Sequence, residues 1–488
     1  MTKYVLVIDE GTTSTRAMLF APDGRPEGLA ARPVTQHYPA PGKVEHYPAE
    51  IWAGTLAVAE EMIEAAGGAG NIAAIGITNQ RETVVAWDRV TGEPLGNALV
   101  WQDRRTSDRC AELRAAGHEE AVQSKTGLLL DPYFSATKME WMLANRPSLR
   151  AAGDRLAFGT VESWLIWKLT GGAVHATDAS NASRTMLMAL EGHDWDEELC
   201  DLFGIDPATL PRIVDCAGPI GQTDPALFGR AIPICGAAGD QQAATIGQGC
   251  LSPGHTKATF GTGAFVLTNS GDRPLRSSNR MLTTVLCQIG GRRSFALEGS
   301  IFVAGSLMQW LRDSVGLLVS AAESEDLARS VVDNGGVYMV PALAGLGAPH
   351  WRAEARGLIQ GISFATTRAH IVRAALEAQA HQIHDLMTAF EADGVRWERL
   401  RIDGGMVAND WLAQDLADML DIPVERPASI ETTALGAAML ASVGAGIHPD
   451  LETAAAAMDS SVTRFSARMD RDQRNRRLAG WRHALGLV

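Results

Sequence analysis

The first twenty residues constrain the fold most. Tyr4, Val5, Leu6, Val7 and Ile8 form an apolar run that stops on Asp9. A short run of this kind reads as a buried strand, over 4–9. Gly11-Thr12-Thr13-Ser14 then breaks it, 16–20 reads as a returning hairpin partner, and Pro22-Asp23-Gly24 turns the chain again. Asp9 is thereby delivered to the mouth of a hydroxyl-rich turn, with Arg16 beside it.

The same design recurs near residue 255. Residues 256–260 lead into Gly261-Thr262-Gly263, and 264–267 lead out. Between the two hairpins, helical and strand-like segments alternate, including a helix over 51–64 and a strand over 72–77. This is α/β patterning. Further on, 368–390 reads as a helix with Val372, Leu376, Ile383, Leu386, Met387 and Phe390 on one face. Residues 400–402 read as a strand, 409–420 as a helix, and 468–482 as a solvated helix. With 488 residues the chain exceeds one ordinary core, so two α/β domains facing a cleft are expected. Gly247, Gly249, Ser252, Pro253 and Gly254 mark the boundary, giving domains over 1–248 and 249–488.

The net charge of −14 disfavours nucleic acid and anionic membrane as partners. No apolar stretch reaches the roughly 18 residues of a membrane span, and the first apolar run ends too early for a signal peptide. Six cysteines without a C-x-x-C pair read as free thiols in the cytoplasm. An anionic ligand would need a local basic site, which directs attention to arginines near glycine-rich turns.

Several sites have the residue types for such chemistry. In the first turn, Gly11 allows close backbone approach, Thr12, Thr13 and Ser14 offer donors, and Arg16 is a fork suited to phosphate. Asp9 is placed to hold Mg²⁺ through water. A plain polar hairpin is an equal reading of this turn alone. Gly239-Asp240-Gln241-Gln242 places a carboxylate before a small-residue helix, as a base or as a helix cap. Asn79-Gln80-Arg81-Glu82-Thr83 follows a strand. Arg81 and Glu82 there can donate to and accept from several hydroxyls, or form a surface ion pair. Trp101 and Tyr133 add an aromatic wall and a phenol. Thr262, Gly305 with Gln309, and Gly405 with Asn409 are small-residue sites where a base or phosphate can approach backbone.

The order of these motifs resembles the glycerol kinases among the FGGY carbohydrate kinases. Asp-x-Gly-Thr-Thr-Ser-x-Arg, Asn-Gln-Arg-Glu-Thr, Trp-Gln-Asp-Arg-Arg-Thr, Asp-Pro-Tyr-Phe-Ser, Asn-Ala-Ser-Arg-Thr, Gly-Asp-Gln-Gln, Gly-Thr-Gly and Asp-Gly-Gly follow one another from Lys3 to about Leu440. The resemblance implies an α/β fold of two actin-like, ribonuclease-H-like ATPase domains flanking a cleft. It implies ATP-dependent phosphorylation of glycerol with Asp240 as base. The polyol ligands would be Arg81, Glu82, Trp101, Tyr133, Asp240, Gln241 and Phe265. The nucleotide would meet Thr12, Thr13, Ser14, Arg16, Thr262, Gly305, Gln309, Gly405 and Asn409, with Mg²⁺ near Asp9. A homodimer or homotetramer is expected. Kinases for erythritol or xylulose, and an actin- or chaperone-like ATPase, are the rival readings. Four departures from the family pattern stand out: Glu10, His350, Arg352 and Asp410.

Overall fold

The computed structural model describes residues 3–352, 354–428, 431–458 and 461–488. Its frame is two mixed sheets of matching topology. The six-stranded sheet runs Pro26–Pro33, Ser14–Phe20, Tyr4–Glu10, Ile72–Asn79, Pro233–Gly239, Ala217–Gln222. Neighbours are antiparallel, antiparallel, parallel, parallel and antiparallel in turn. The seven-stranded sheet runs Leu282–Ile289, Arg292–Ile301, Ala264–Gly271, His255–Phe260, Arg399–Asp403, Val424–Pro427, Val462–Phe465. Without its outermost strand, Leu282–Ile289, it repeats the same sequence of orientations. The duplication hinted at by the two Gly-Thr turns is therefore a duplication of topology.

Strands predicted over 4–9 and 16–20 are Tyr4–Glu10 and Ser14–Phe20, and the helix predicted over 51–64 is Pro48–Ala65. The helix Arg368–Ala392 buries all six residues of its predicted apolar face. The terminal helix, Arg471–Leu485, differs from expectation. It buries Leu478, Trp481, Ala484 and Leu485, and Arg477 pairs with Asp415 at 2.5 Å. Its arginines and aspartates flank an apolar stripe, so it is docked rather than solvated.

Linear sequence and spatial domains part company at one helix. Thr432–Gly444 follows a second-sheet strand but packs on the first sheet, where Ala437, Ala438 and Ala441 join Val5, Val7 and Ala74 in one buried cluster. Asp240–Gly247 occupies the matching place after the first sheet's Pro233–Gly239. The two helices touch backbone to backbone: a Cβ on Gly436 would lie 1.8 Å from the carbonyl oxygen of Ala243. Only glycine permits that approach. The cleft is lined by Thr12 from the first hairpin, by Asp240 and Gln241 from the start of the helix Asp240–Gly247, and by Phe265 from the second hairpin.

Candidate active site

Strand alternation divides the first turn's charges between two faces. Asp9 pairs across the hairpin with Arg16, and Glu10 with Thr15. Arg16 Nη2 donates to Asp9 Oδ2 at 2.5 Å, and its Nη1 reaches Glu431 at 2.8 Å. Burial raises the Asp9 carboxyl, against the pull of Arg16. Glu10 points the other way. It is fully buried, takes the Thr15 hydroxyl at 2.7 Å and the Thr55 hydroxyl at 3.1 Å, and burial pushes it up to about 8. Glu10 is thus turned into the domain interior, where burial favours its protonated form.

The Arg81–Glu82 pair is no surface ion pair. Both are buried, in a ring with two residues that sequence reasoning gave no role. Arg81 donates to Glu298 at 2.6 and 3.2 Å, and Arg184 donates to Glu82 at 2.6 Å and to Glu298 at 3.0 Å. Burial alone would raise Glu298, but Arg184 and Arg81 outweigh it and hold the carboxyl at about 2. Burial raises the Glu82 carboxyl, against the pull of Arg81 and Arg184, and the pairing of two guanidiniums with two acids is what lets these groups share a dry interior. Glu298 comes from the second sheet, so the ring also ties the two halves together at the cleft floor. Glu82 is held at φ 61°, with Ser135 donating to its carbonyl at 3.0 Å. A non-glycine residue there stores on the order of 1–3 kcal/mol, a cost found where a site dictates the backbone.

This strained residue faces a small cavity of about 50 Å³ lined by Thr12, Arg81, Glu82, Trp101, Tyr133, Asp240, Gln241 and Phe265. All seven residues expected to meet a polyol are in that set, and Thr12 joins them from the first turn. The space is far below the roughly 300–1,000 Å³ of drug-sized ligand sites, so it suits only a very small molecule. Its polar groups are poised rather than spent. Glu82 Oε2 is buried without a hydrogen-bond partner among the described residues. Tyr133 Oη accepts from Arg81 at 3.3 Å, so its own O–H is free to donate, and burial pushes the phenol up so that it keeps its proton. Trp101 sets its ring edge-on to Tyr133, centroids 5.5 Å apart, and donates from Nε1 to Thr12 Oγ1 at 3.0 Å. That bond joins the aromatic wall to the first turn.

Asp240 opens the helix Asp240–Gly247 at its first position and does not cap it. Its Oδ1 takes the Gln241 N–H at 2.6 Å and lies 3.4 Å from Arg81 Nε. Burial raises its carboxyl, against Arg81 and Lys257. No hydrogen bond to Oδ2 is seen among the described residues. A carboxylate with one oxygen held and one open, at a cavity wall, has the form of a general base.

The opposite wall gathers the second-half glycines. Gly305 donates to the Gly261 carbonyl at 2.9 Å, and a Cβ on Gly305 would come within 2.5 Å of that oxygen. Parallel pairing of His255–Phe260 with Arg399–Asp403 sets Gly404 and Gly405 beside the same hairpin tip. Thr262, Gln309 and Gly405 are exposed, and Gly405 has open space where a Cβ would sit. Asn409 is engaged differently. Its Oδ1 caps the helix Asp410–Leu420 through Leu412 N–H at 2.9 Å, and its amide donates to Ser324 at 3.2 Å. The other departures are committed to local partners: His350 to Asp385 at 3.0 Å, Arg352 to the Val488 carbonyl at 2.6 Å, and Asp410 to Arg426 at 2.7 Å.

The donors fit a Mg²⁺ ion that arrives with phosphate rather than one caged by protein. Asp9 brings a single carboxylate to the cleft, and among the described residues no three His, Cys, Asp or Glu side chains converge on a metal position. One or two carboxylates completed by phosphate oxygens and water is the usual Mg²⁺ arrangement.

Residues 4–247 match the N-terminal domain, and 256–445 the C-terminal domain, of the FGGY family of carbohydrate kinases. The glycerol kinase of Rhodospirillum centenum is 53% identical over 484 residues, covering 99% of this chain and 97% of that protein. The crystal structure of Plasmodium falciparum glycerol kinase with ADP superposes with a TM-score of 0.94 at 35% identity, over 100% of this chain and 98% of that one. A xylulose kinase from Rhodospirillum rubrum superposes at 0.88 with 25% identity, over 99% and 98% of the two chains. In sequence, in topology and in the order of its motifs, the chain belongs to the FGGY family of carbohydrate kinases.

Proposed function

We propose that this kinase transfers the γ-phosphoryl group of ATP to a hydroxyl of glycerol, giving glycerol 3-phosphate. The cavity carries the reading. Glycerol has three hydroxyls and little apolar surface, so directed hydrogen bonds must supply its affinity. Glu82 offers a buried oxygen without a partner, Tyr133 a donor and Arg81 a cation, with Gln241 beside them. Trp101 and Phe265 face the carbons. Larger sugars would have to displace this wall, which Trp101 pins to Thr12.

Asp240 is the base. Its carboxylate takes the proton of the attacking hydroxyl as the new oxygen–phosphorus bond forms and the bond to the ADP oxygen breaks. Thr12, Thr13, Ser14 and Arg16 grip the phosphates. Thr262, Gly305, Gln309 and Gly405 form the facing nucleotide wall, which Asn409 joins while capping the helix Asp410–Leu420. Asp9 would hold Mg²⁺, which would supply charge neutralisation of the phosphates. Buried Arg81, Glu82, Arg184 and Glu298 keep the acceptor side rigid and dry. The reading also places the enzyme in the cytoplasm, in keeping with six free, buried thiols, and as a homodimer or homotetramer. Among the described residues no helix is long and apolar enough to cross a membrane.

The test is Asp240→Asn in a glycerol-dependent ADP-release assay. Turnover should fall about 10²–10⁴-fold, the usual contribution of a positioned base. ATP should still bind as in the parent. Near-parental turnover in the variant refutes Asp240 as the base.

A further inference from the structure

One buried ammonium behind the cleft takes no part in the steps above. Lys257 is fully enclosed in the strand His255–Phe260. Its Nζ donates to Gln241 Oε1 at 2.5 Å and to Thr259 Oγ1 at 2.7 Å. An ammonium has no acceptor to offer, so only the carbonyl end of the Gln241 amide can face it. Gln241 lines the cavity. With Oε1 turned to Lys257, the amide is left with its N–H end, two donors, for a ligand.

We propose that Lys257 is a positioning residue for the phosphoryl acceptor: it locks the Gln241 amide with its N–H donors toward the cavity, so that the site reads a hydroxyl oxygen there as an acceptor. The assignment rests on the kinase reading above. It gives the acceptor set a definite polarity, with Glu82 accepting and Gln241 donating. Burial lowers the Lys257 pKa, and the charges of Asp403, Asp240 and Glu298 pull it back toward the ammonium form, against the cation Arg81. Asp240 in turn feels Arg81, Lys257 and Asp9. Lys257 therefore also favours the ionised form of the base. Thr259 extends the link toward the Gly261-Thr262-Gly263 hairpin, two residues along the strand.

Steady-state kinetics of the full-length enzyme test this, with Lys257→Met, Lys257→Arg and Gln241→Glu beside the parent. Lys257→Met should raise the glycerol KM about tenfold or more, the fold-change of one charged hydrogen bond, and leave the ATP KM unchanged. Removing the cation disfavours the Asp240 carboxylate, so the acidic limb of kcat/KM should move to higher pH. Lys257→Arg, which still donates to Oε1, should restore part of the glycerol KM. A lowered melting temperature with parental glycerol KM and parental acidic limb overturns the proposal. Should Lys257→Met fail to fold, Gln241→Glu carries the test, because it keeps an acceptor for Lys257 and loses the donors. A raised glycerol KM supports the proposal and a parental one overturns it. A parent that phosphorylates no glycerol refutes the functional reading itself. An active parent with an indifferent Lys257→Met refutes this assignment alone.

Discussion

Glu298→Gln tests the ion ring at the cleft floor. Glu298 accepts three guanidinium contacts, at 2.6 and 3.2 Å from Arg81 and 3.0 Å from Arg184. The substitution leaves two buried guanidiniums facing a single carboxylate. Removing one member of a buried pair costs about 3–5 kcal/mol. Glutamine keeps one carbonyl acceptor but turns its amide N–H donors toward the other guanidinium, so about 4 kcal/mol is expected. For domains of this size each kcal/mol moves the melting temperature by about 2–4 °C, so calorimetry should show a loss of about 8–16 °C. The sign of the pH dependence is fixed by the depressed carboxyl of Glu298, at about 2. Its contribution is present above the ordinary value of 4.5 and is lost as pH falls toward 2. The gap between variant and parent should therefore be constant from pH 6 to 8 and close in acid. Arg81 lines the cavity and would lose its strongest partner, so the glycerol KM should rise as well. A melting temperature within about 2 °C of the parent, together with an unchanged glycerol KM, would sink this view of the ring, because so small a shift leaves it under about 1 kcal/mol.

Three further outcomes follow from the same geometry. Glu82→Gln swaps the cavity's buried carboxyl for an amide and should cut kcat/KM for glycerol about ten- to a hundredfold, with ATP affinity unchanged in titration calorimetry. Glu10 is raised to about 8 in the fold, so its stabilising protonation is complete below 4.5 and is lost as pH rises through 8. Glu10→Gln should therefore melt higher than the parent at pH 8–9 and lose the parent's decline between pH 5 and 8, while ATP affinity and Mg²⁺ dependence stay as they were. An unchanged pH slope would contradict a neutral, inward-facing Glu10. Gly436→Ala drives a methyl to 1.8 Å from the Ala243 carbonyl and should abolish soluble expression, whereas Gly405→Ala meets nothing within 4 Å and should melt like the parent while weakening ATP binding, read by titration.

What the sequence disclosed follows chain-local signals. Strand–turn–strand patterning located both hairpins, and residue type at a strand or helix end picked out Asp9, Arg81, Glu82 and Asp240. Arg184 and Glu298 were out of reach for a physical reason. They meet Glu82 and Arg81 across separations of 102 and 217 residues. Glu298 lies in a strand buried on both sides over 295–299, so alternation gives it no face. The inward orientation of Glu10 was out of reach because it depends on hairpin register, which pairs it with Thr15. The helix Thr432–Gly444 carried a usable signal. It is apolar or small all round, the mark of a helix buried on every side, yet position alone assigned it to the second domain.

Everything proposed for the cavity turns on the identity of the phosphoryl acceptor, and a substrate panel decides it. Purified enzyme with ATP and Mg²⁺ is offered glycerol, erythritol, xylulose or no polyol, and ADP release is followed with the phosphorylated product identified by mass spectrometry. The highest kcat/KM is expected on glycerol, by tenfold or more over xylulose, since each unmatched hydroxyl at a buried polar site costs about 1–3 kcal/mol. Glycerol 3-phosphate should accumulate in step with ADP, and without polyol the rate should collapse. A higher kcat/KM on erythritol or xylulose, or ATP turnover indifferent to polyol, would contradict glycerol as the acceptor.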